Sequence, residues 1–433
     1  MDAPWSNKET LKKSNKLERL SNEIKDFESY IAPTKKEQLN RDTLLYSITQ
    51  LIDSLWPGNT VTPFGSSVTG LQFPASDIDL NVNFEVLPKN NPIDVLKVIR
   101  KQAVSRHILP NYSTRLVANA KVPVLMATDE NQVSIDITVQ NECFSSDRTA
   151  VWLKEYPMLK PLFMVLKLSI ANYRISSLPT FEPMSAKTAG LASYSLICMI
   201  VSYIQLQASS QHPSDPEYYA NLLLGFLDFY TEFENTRQAI SLEGKGAYLA
   251  KNQTDIKIDT KPGRLTIIDP DVPNANVARS TFRFDTLKTI FAKARDDLRK
   301  RISNSTKGES ILSSILQVQS HYFGEPRSEG ARFRVRQIWI NTGEAPVKFP
   351  RKRFNQAYRP NLHVAGHRYE DERKPYRGER RYNPYNNNNN SPQRSYNNSR
   401  EESYDREYQR HKKNNNSHLA QHYKNKADRA KRR

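Results

Sequence analysis

The chain has 433 residues, with Lys+Arg 64 against Asp+Glu 46 and a formal net charge of +18, a length with room for about two or three domains. The excess sits at one end: residues 321–433 hold 27 Lys+Arg against 12 Asp+Glu, while the first 320 hold 37 against 34. Only two cysteines, Cys143 and Cys198, exclude a disulfide framework or a Cys-rich zinc site; the N-terminus shows no secretion pattern and the most apolar window, Ala189 to Gln207, carries Ser, Tyr and Gln, so a soluble intracellular protein with no membrane span is expected.

In chain order, Leu17, Leu20, Ile24, Phe27 and Ile31 recur at helical spacing and stop before Pro33. Thr34 to Glu37 is a capping-box pattern opening a second helix, with Leu44, Ile48, Leu51 and Leu55 facing inward and Pro57-Gly58 closing it. Val61 to Phe64 reads as a strand, and a small-residue turn, Gly65-Ser66-Ser67, follows it. From Asp77 the pattern alternates strictly: Ile78, Leu80, Val82 and Phe84 on one face, Asp77, Asp79, Asn81 and Asn83 on the other. Asp94 to Arg106 reads as a helix, then Leu116 to Ala127 and Gln132 to Gln140 as two strands joined at Asp129-Glu130-Asn131. In the second, Ser134, Asp136, Thr138 and Gln140 share the polar face. Beyond residue 145 the strand signal fades. Tyr156 to Tyr173, Gly190 to Gln207, Asp215 to Tyr230 and Asp285 to Ile302 read as helices, with Arg264 to Ile268 as a possible short strand. From about Arg327 the composition turns basic, Asn-rich and tyrosine-bearing, which cannot bury enough apolar surface to fold and suits single-stranded nucleic acid.

The expected architecture is α+β: a mixed sheet with flanking helices over 41–144, a mostly helical domain from 10–40 and 145–322, and a disordered basic tail over 323–433. The chemistry lies in the sheet. Asp77 and Asp79 project from one side of a strand, with ten residues intervening after Gly65-Ser66, and Asp136 projects from a second strand. Three such carboxylates fit two-metal phosphoryl transfer with Mg2+ or Mn2+, with the Gly65–Ser67 turn gripping a triphosphate through its backbone N–H groups and Ser66.

These residues resemble the template-independent nucleotidyltransferases of the DNA-polymerase-β-like superfamily, and within them the nuclear poly(A) polymerases of the TRAMP RNA-surveillance complex. The resemblance extends over Tyr156-Pro157-Met158-Leu159, Met164-Val165-Leu166-Lys167, Ala189 to Leu196, Gly246 to Lys251 and Asp269-Pro270 with Asn276 to Phe282. It implies ATP as substrate and transfer of AMP to an RNA 3′ end, in the nucleus, ahead of exosome decay. It also implies a zinc-knuckle RNA-binding subunit and a DExH helicase as partners. Lys167 and Ser193 would meet phosphate, Tyr194 would stack on the base, Asn141 would lie near the ribose, and Asn276 and Arg279 belong to a nucleotide-recognition loop at 269–282. The chain departs from the pattern in three places: Glu142 follows Asn141 where the family often has Gly, the 175–188 loop is long, and Ala275 stands where adenylyltransferases commonly hold Asn and many uridylyltransferases His. An alanine cannot read a base edge, so discrimination is expected from Asn276, backbone or water. A uridylyltransferase, a mixed-specificity enzyme and an inactive RNA-binding scaffold remain the alternatives.

Overall fold

The computed structural model describes residues 3–120, 122–141, 143–253, 263–317 and 337–343, with Lys424 beyond them; apart from those last residues the expected tail lies outside the described part. The chain divides into units 1–347 and 348–433, and the sheet and its helices lie in the first.

A short helix α1 (Lys8–Lys12) leads into α2 (Lys16–Ile31) and α3 (Lys35–Leu55). The Asn15 side chain caps α2 by accepting from the N–H groups of Leu17 and Glu18, and both halves of the Thr34–Glu37 capping box form at α3. Then come β1 (Thr60–Phe64), a single turn α4 (Ser66–Thr69), β2 (Ile78–Asn83), α5 (Pro92–Ser105), β3 (Arg115–Val117), β4 (Val124–Thr128) and β5 (Ser134–Val139). The strands form one five-stranded sheet in the order β1-β2-β5-β4-β3. β2 and β5 are parallel and the other neighbours antiparallel.

The alternation decides which way this sheet faces. Ile78, Leu80, Val82, Ile135, Ile137 and Val139 are buried with Ile48 and Leu51 of α3 and Val95, Leu96 and Ile99 of α5. Each such side chain contributes about 1.5–3 kcal/mol by leaving water, whereas a slip of one residue would turn the aspartates into this core. The register is therefore fixed by the same residues that leave the carboxylates on the outer face.

The remainder is mostly helical: α6 (Phe144–Glu155), α7 (Leu159–Asn172), α8 (Ser193–Leu206), α9 (Tyr218–Glu232) and α10 (Phe284–Asn304), with short strands β6 (Tyr173–Ile175), β7 (Gln238–Ser241), β8 (Ala247–Ala250) and β9 (Ile338–Ile340). β6 pairs in parallel with β9, and β7 antiparallel with β8. Leu20, Ile24, Phe27 and Ile31 of α2 lie in the same apolar cluster as α7, α8 and α9. Glu23 fastens that helix to the far end of the unit, its carboxylate accepting from Ser310 Oγ and from the N–H groups of Ile311 and Leu312. Leu71 and Phe73, from the segment joining α4 to β2, also sit in the helical cluster rather than in the sheet's own core.

Three elements differ from the sequence reading. Leu116 to Ala127 is two strands, β3 and β4, folded on each other; the chain reverses before Pro123, which has no N–H for a ladder. α6 carried no recognisable stripe because its buried residues are Ser146, Thr149 and Trp152. Arg264 to Ile268 makes only isolated bridges, Ile267 to Ile240 and Ile268 to Asn276.

Candidate active site

β2 and β5 run parallel with Asp79 opposite Asp136, so both carboxylates leave the same face of strands about 4.8 Å apart. Asp77, two residues before Asp79, shares that face at its exposed lip. Protein around the site disfavours the charged carboxylates, and they repel one another. Burial and then Asp77 push Asp79 up to about 6; burial, then Asp77 and Asp79, push Asp136 up to about 7. Asp77 is also raised by burial, with Arg41, Lys167, Lys187 and a hydrogen bond from Ser134 opposing the shift.

The phosphate-type turn closes over this face. Gly65 adopts φ 69° and ψ −144°, and a Cβ there would lie 2.3 Å from Asp79 Oδ2. Only glycine lets the turn come this close. The Gly65 N–H donates to Ser146 Oγ at 2.7 Å, so the turn is fixed from α6. Ser66 opens α4, half-buried beside it. Lys167 comes from α7 with Nζ 4.9 Å from the Phe73 ring centre and 5.5 Å from that of Phe163. Burial lowers its pKa while Asp77 and Asp79 pull it back up. It is the ammonium that balances the carboxylates from the helical side.

Arg41 was not anticipated. It is buried on α3, donating from Nη1 to Ser76 O at 2.8 Å and from Nη2 to Asp77 O at 3.2 Å. It thereby clamps the chain where β2 begins. An arginine at an inward helical position announces such a role only when its partners are known. Lys187 was likewise missed: exposed on the 175–188 loop, it places positive charge near Asp77 and Asp136. That loop closes on itself, Thr188 Oγ1 donating to Glu182 O at 2.9 Å and Gly190 N to Ser185 O at 2.9 Å.

The residues expected around the base are held differently. Ser193 and Tyr194 begin α8, whose N-cap Ala192 supplies no side-chain cap, leaving the helix's first N–H groups for another acceptor. Tyr194 stacks on Trp152 of α6, ring centres 6.2 Å apart and planes 21° apart. In the loop at 269–282, Asp269 Oδ1 accepts from the N–H groups of Asp271 and Val272. Asn276 works inside the loop. Its Oδ1 accepts from Ile267 N at 3.0 Å and Ala278 N at 2.8 Å, and its Nδ2 donates to Leu265 O at 3.1 Å. Its carbonyl oxygen thus serves as a brace within the loop. Arg279 is exposed on the same loop. Asn141 lies past the end of β5 opposite to Asp136, its main chain tied to the Asn81 amide and its Nδ2 3.4 Å from Cys143 Sγ. It is not brought in among the carboxylates.

A mixed sheet with Asp79 in register with Asp136 and Asp77 beside them, a glycine turn folded over Asp79 and a helical region supplying a lysine has the fold of the DNA-polymerase-β-like nucleotidyltransferases. Residues 20–144 match the model of the central palm domain of mitochondrial-like poly(A) RNA polymerases, and residues 219–275 that of the Cid1 family poly A polymerases. The chain is 30% identical to the Drosophila melanogaster protein named inactive non-canonical poly(A) RNA polymerase protein Trf4-2, over 69% of this chain and 73% of that one. It is 28% identical to poly(A) RNA polymerase protein 2 of Saccharomyces cerevisiae, over 75% of this chain and 56% of that one. Among solved structures, the polymerase core of TRAMP, an RNA surveillance complex, superposes with a TM-score of 0.62 at 24% identity, covering 70% of this chain and 96% of that one. The Cid1 poly(U) polymerase does so at 0.53 and 18%, covering 65% and 94%. The chain belongs to the non-canonical poly(A) RNA polymerase family of the Trf4 kind. It spans little more than half the length of the yeast relative.

Proposed function

We propose that this protein is a template-independent poly(A) RNA polymerase that transfers AMP from ATP to an RNA 3′-hydroxyl and releases pyrophosphate. The observation that carries the reading is the register of Asp79 with Asp136, with Asp77 on the same face and Gly65 closed over Asp79. Among the described residues no three His, Cys, Asp or Glu side chains form a ready-made ligand cluster. The donors nevertheless fit hard divalent cations, being oxygen ligands only, crowded until their own charges oppose ionisation. Asp77 and Asp79 would bridge two ions, with Asp136 holding the one at the attacking hydroxyl. Bound there, Mg2+ or Mn2+ would supply Lewis-acid stabilisation of the attacking and leaving oxygens.

The chain's own groups do the rest. With the Gly65 N–H taken by Ser146, the N–H groups of Ser66 and Ser67 and the Ser66 hydroxyl would meet the triphosphate, and Lys167 would offset the charge that pyrophosphate carries away. The uncapped start of α8, with Ser193, would meet phosphate, and the Tyr194 ring would offer a stacking surface whose orientation Trp152 fixes. The basic segment 323–433 suits RNA by composition. A nuclear surveillance role beside a zinc-knuckle subunit and a DExH helicase rests on the sequence resemblance to the TRAMP polymerases, while the likeness to the TRAMP polymerase core supports the fold. Purified protein offered each NTP in turn with an RNA primer tests the reading. Incorporation of AMP above the other nucleotides is expected; a preference for UTP would assign the chain to the uridylyltransferases, and no incorporation beyond that of an Asp77→Ala, Asp79→Ala variant would leave it a scaffold.

A further inference from the structure

With Ala275 lacking a polar side chain and the Asn276 carbonyl oxygen engaged inside the loop, the position of the loop against the Tyr194 ring bears on which base fits. That position is braced from α6. Arg148 donates from Nε to Asp271 Oδ2 at 3.2 Å and from Nη2 to Asp271 Oδ1 at 2.7 Å. The pair joins residues 123 apart in sequence, and the two side chains are only 14% and 9% exposed. The same guanidinium lies 6.0 Å from the centre of the Trp152 ring, and Trp152, itself buried, stacks on Tyr194. Asp269 adds a second link, since its carboxylate accepts from the Asp271 N–H and so ties the paired residue to the turn leading to Ala275.

A continuous chain of contacts thus runs from the loop's tip through Asp271, Arg148 and Trp152 to Tyr194, while Asn276 closes the loop's base. The fork geometry matters here. Two parallel N–H···O bonds fix direction as well as distance, which a lysine cannot reproduce. Since α6 also anchors the Gly65 turn through Ser146, one helix carries the supports for both the phosphate end and the base end of the site.

We propose that the Arg148–Asp271 pair is a specificity-determining brace: it holds the recognition loop at the spacing from Tyr194 that admits adenine over uracil. Arg148 and Asp271 are positioning residues, acting through the loop and the Tyr194 ring. The proposal rests on the reading that the nucleotide's base lies against Tyr194. A pair serving stability alone would lower the melting temperature when broken and leave nucleotide choice untouched.

The test measures kcat/KM for ATP and for UTP on one RNA primer with the full chain, for Arg148→Lys, Asp271→Asn and the double variant, alongside thermal unfolding. Each single variant should raise KM for ATP about tenfold, lower the ATP-over-UTP ratio by a similar factor and leave KM for RNA unchanged, which is the size expected when a positioning contact to one substrate is lost. The double variant should be no worse than the singles, because both break the same contact. Unchanged selectivity in folded single variants, or a double variant whose losses multiply, would overturn the brace. Tyr194→Ala serves as the separate arm. If it leaves KM for ATP unchanged, the base does not lie on that ring, and the placement beneath the proposal fails; if it raises KM while the pair's variants do not, only the brace fails.

Discussion

Asp79 and Asn276 belong to regions that are held in opposite ways. Asp79 is positioned by a strand ladder, its Cα partner on one side Phe64 and on the other Asp136, and its side chain is left for chemistry. Asn276 is positioned by its own side chain, which closes a loop that has little regular structure. The sheet can thus present charged groups against mutual repulsion, whereas the loop uses its polar groups to keep a shape. On the proposed reading, reaction type is written into the sheet region, and substrate choice falls to a region whose geometry depends on a few long-range bonds.

The sharpest way to break this contrast is to remove the groups the sheet presents. The Asp77→Ala, Asp79→Ala variant should lose about a thousandfold or more in AMP transfer, the several kcal/mol that metal-held charge stabilisation represents, while circular dichroism stays that of the folded protein. Gly65→Ala comes next. Its Cβ would meet Asp79 Oδ2 at 2.3 Å on a backbone with φ 69°, and strain of order 1–3 kcal/mol should appear as roughly a tenfold to hundredfold fall in kcat. Arg41→Ala removes both bonds to the carbonyls of Ser76 and Asp77. A loss of about 1–3 kcal/mol of stability is expected by urea unfolding, and Arg41→Lys should recover part of it; equal stability of all three proteins would remove the clamp.

Asn276→Ala should act on the other region. With the N–H groups of Ile267 and Ala278 unpaired, KM for ATP should rise by about tenfold, the equivalent of 1.4 kcal/mol, with KM for RNA unmoved. The smallest effect is on stability with pH in chelator. Asp79 and Asp136 sit at about 6 and about 7, above the value of an unfolded aspartate, so the folded state binds protons more tightly. Their favourable contribution is present below pH 4 and lost as pH rises to 7. The melting temperature of the chelated protein should therefore fall by a few degrees across that window relative to Asp136→Asn, and the increment restored by Mg2+ should grow with pH. A chelated protein whose melting temperature does not move relative to Asp136→Asn would dissolve the repulsion.

The two regions were also unequally legible. Period-two alternation places Asp77 and Asp79 on the polar side of one strand and Asp136 on that of another by strand geometry alone, while the pairing that sets them side by side had to come from the fold. The capping box at Thr34 is similarly local. α6 escaped notice because Ser146, Thr149 and Trp152 make no apolar stripe, although that helix anchors both the Gly65 turn and Asp271. Arg41, Arg148 and Lys187 could not be told from surface cations, since their partners are distant in the chain. Asn276 is a different case: its type suits base reading and loop bracing equally, and its bonds to Leu265, Ile267 and Ala278 became visible only in the folded loop.

Leu71 and Phe73 leave the sheet region and are buried in the helical cluster, Phe73 with its ring centre 6.5 Å from that of Phe163. A fragment cut as 41–144 would carry both side chains into water, and the helical fragment would be left with the holes they filled. The two halves therefore cannot be expressed, swapped between relatives or evolved as independent modules without redesigning this dovetail. Because it lies between Ser66 and Asp77, the ten-residue interval joining them is under a length constraint that comes from folding rather than from chemistry.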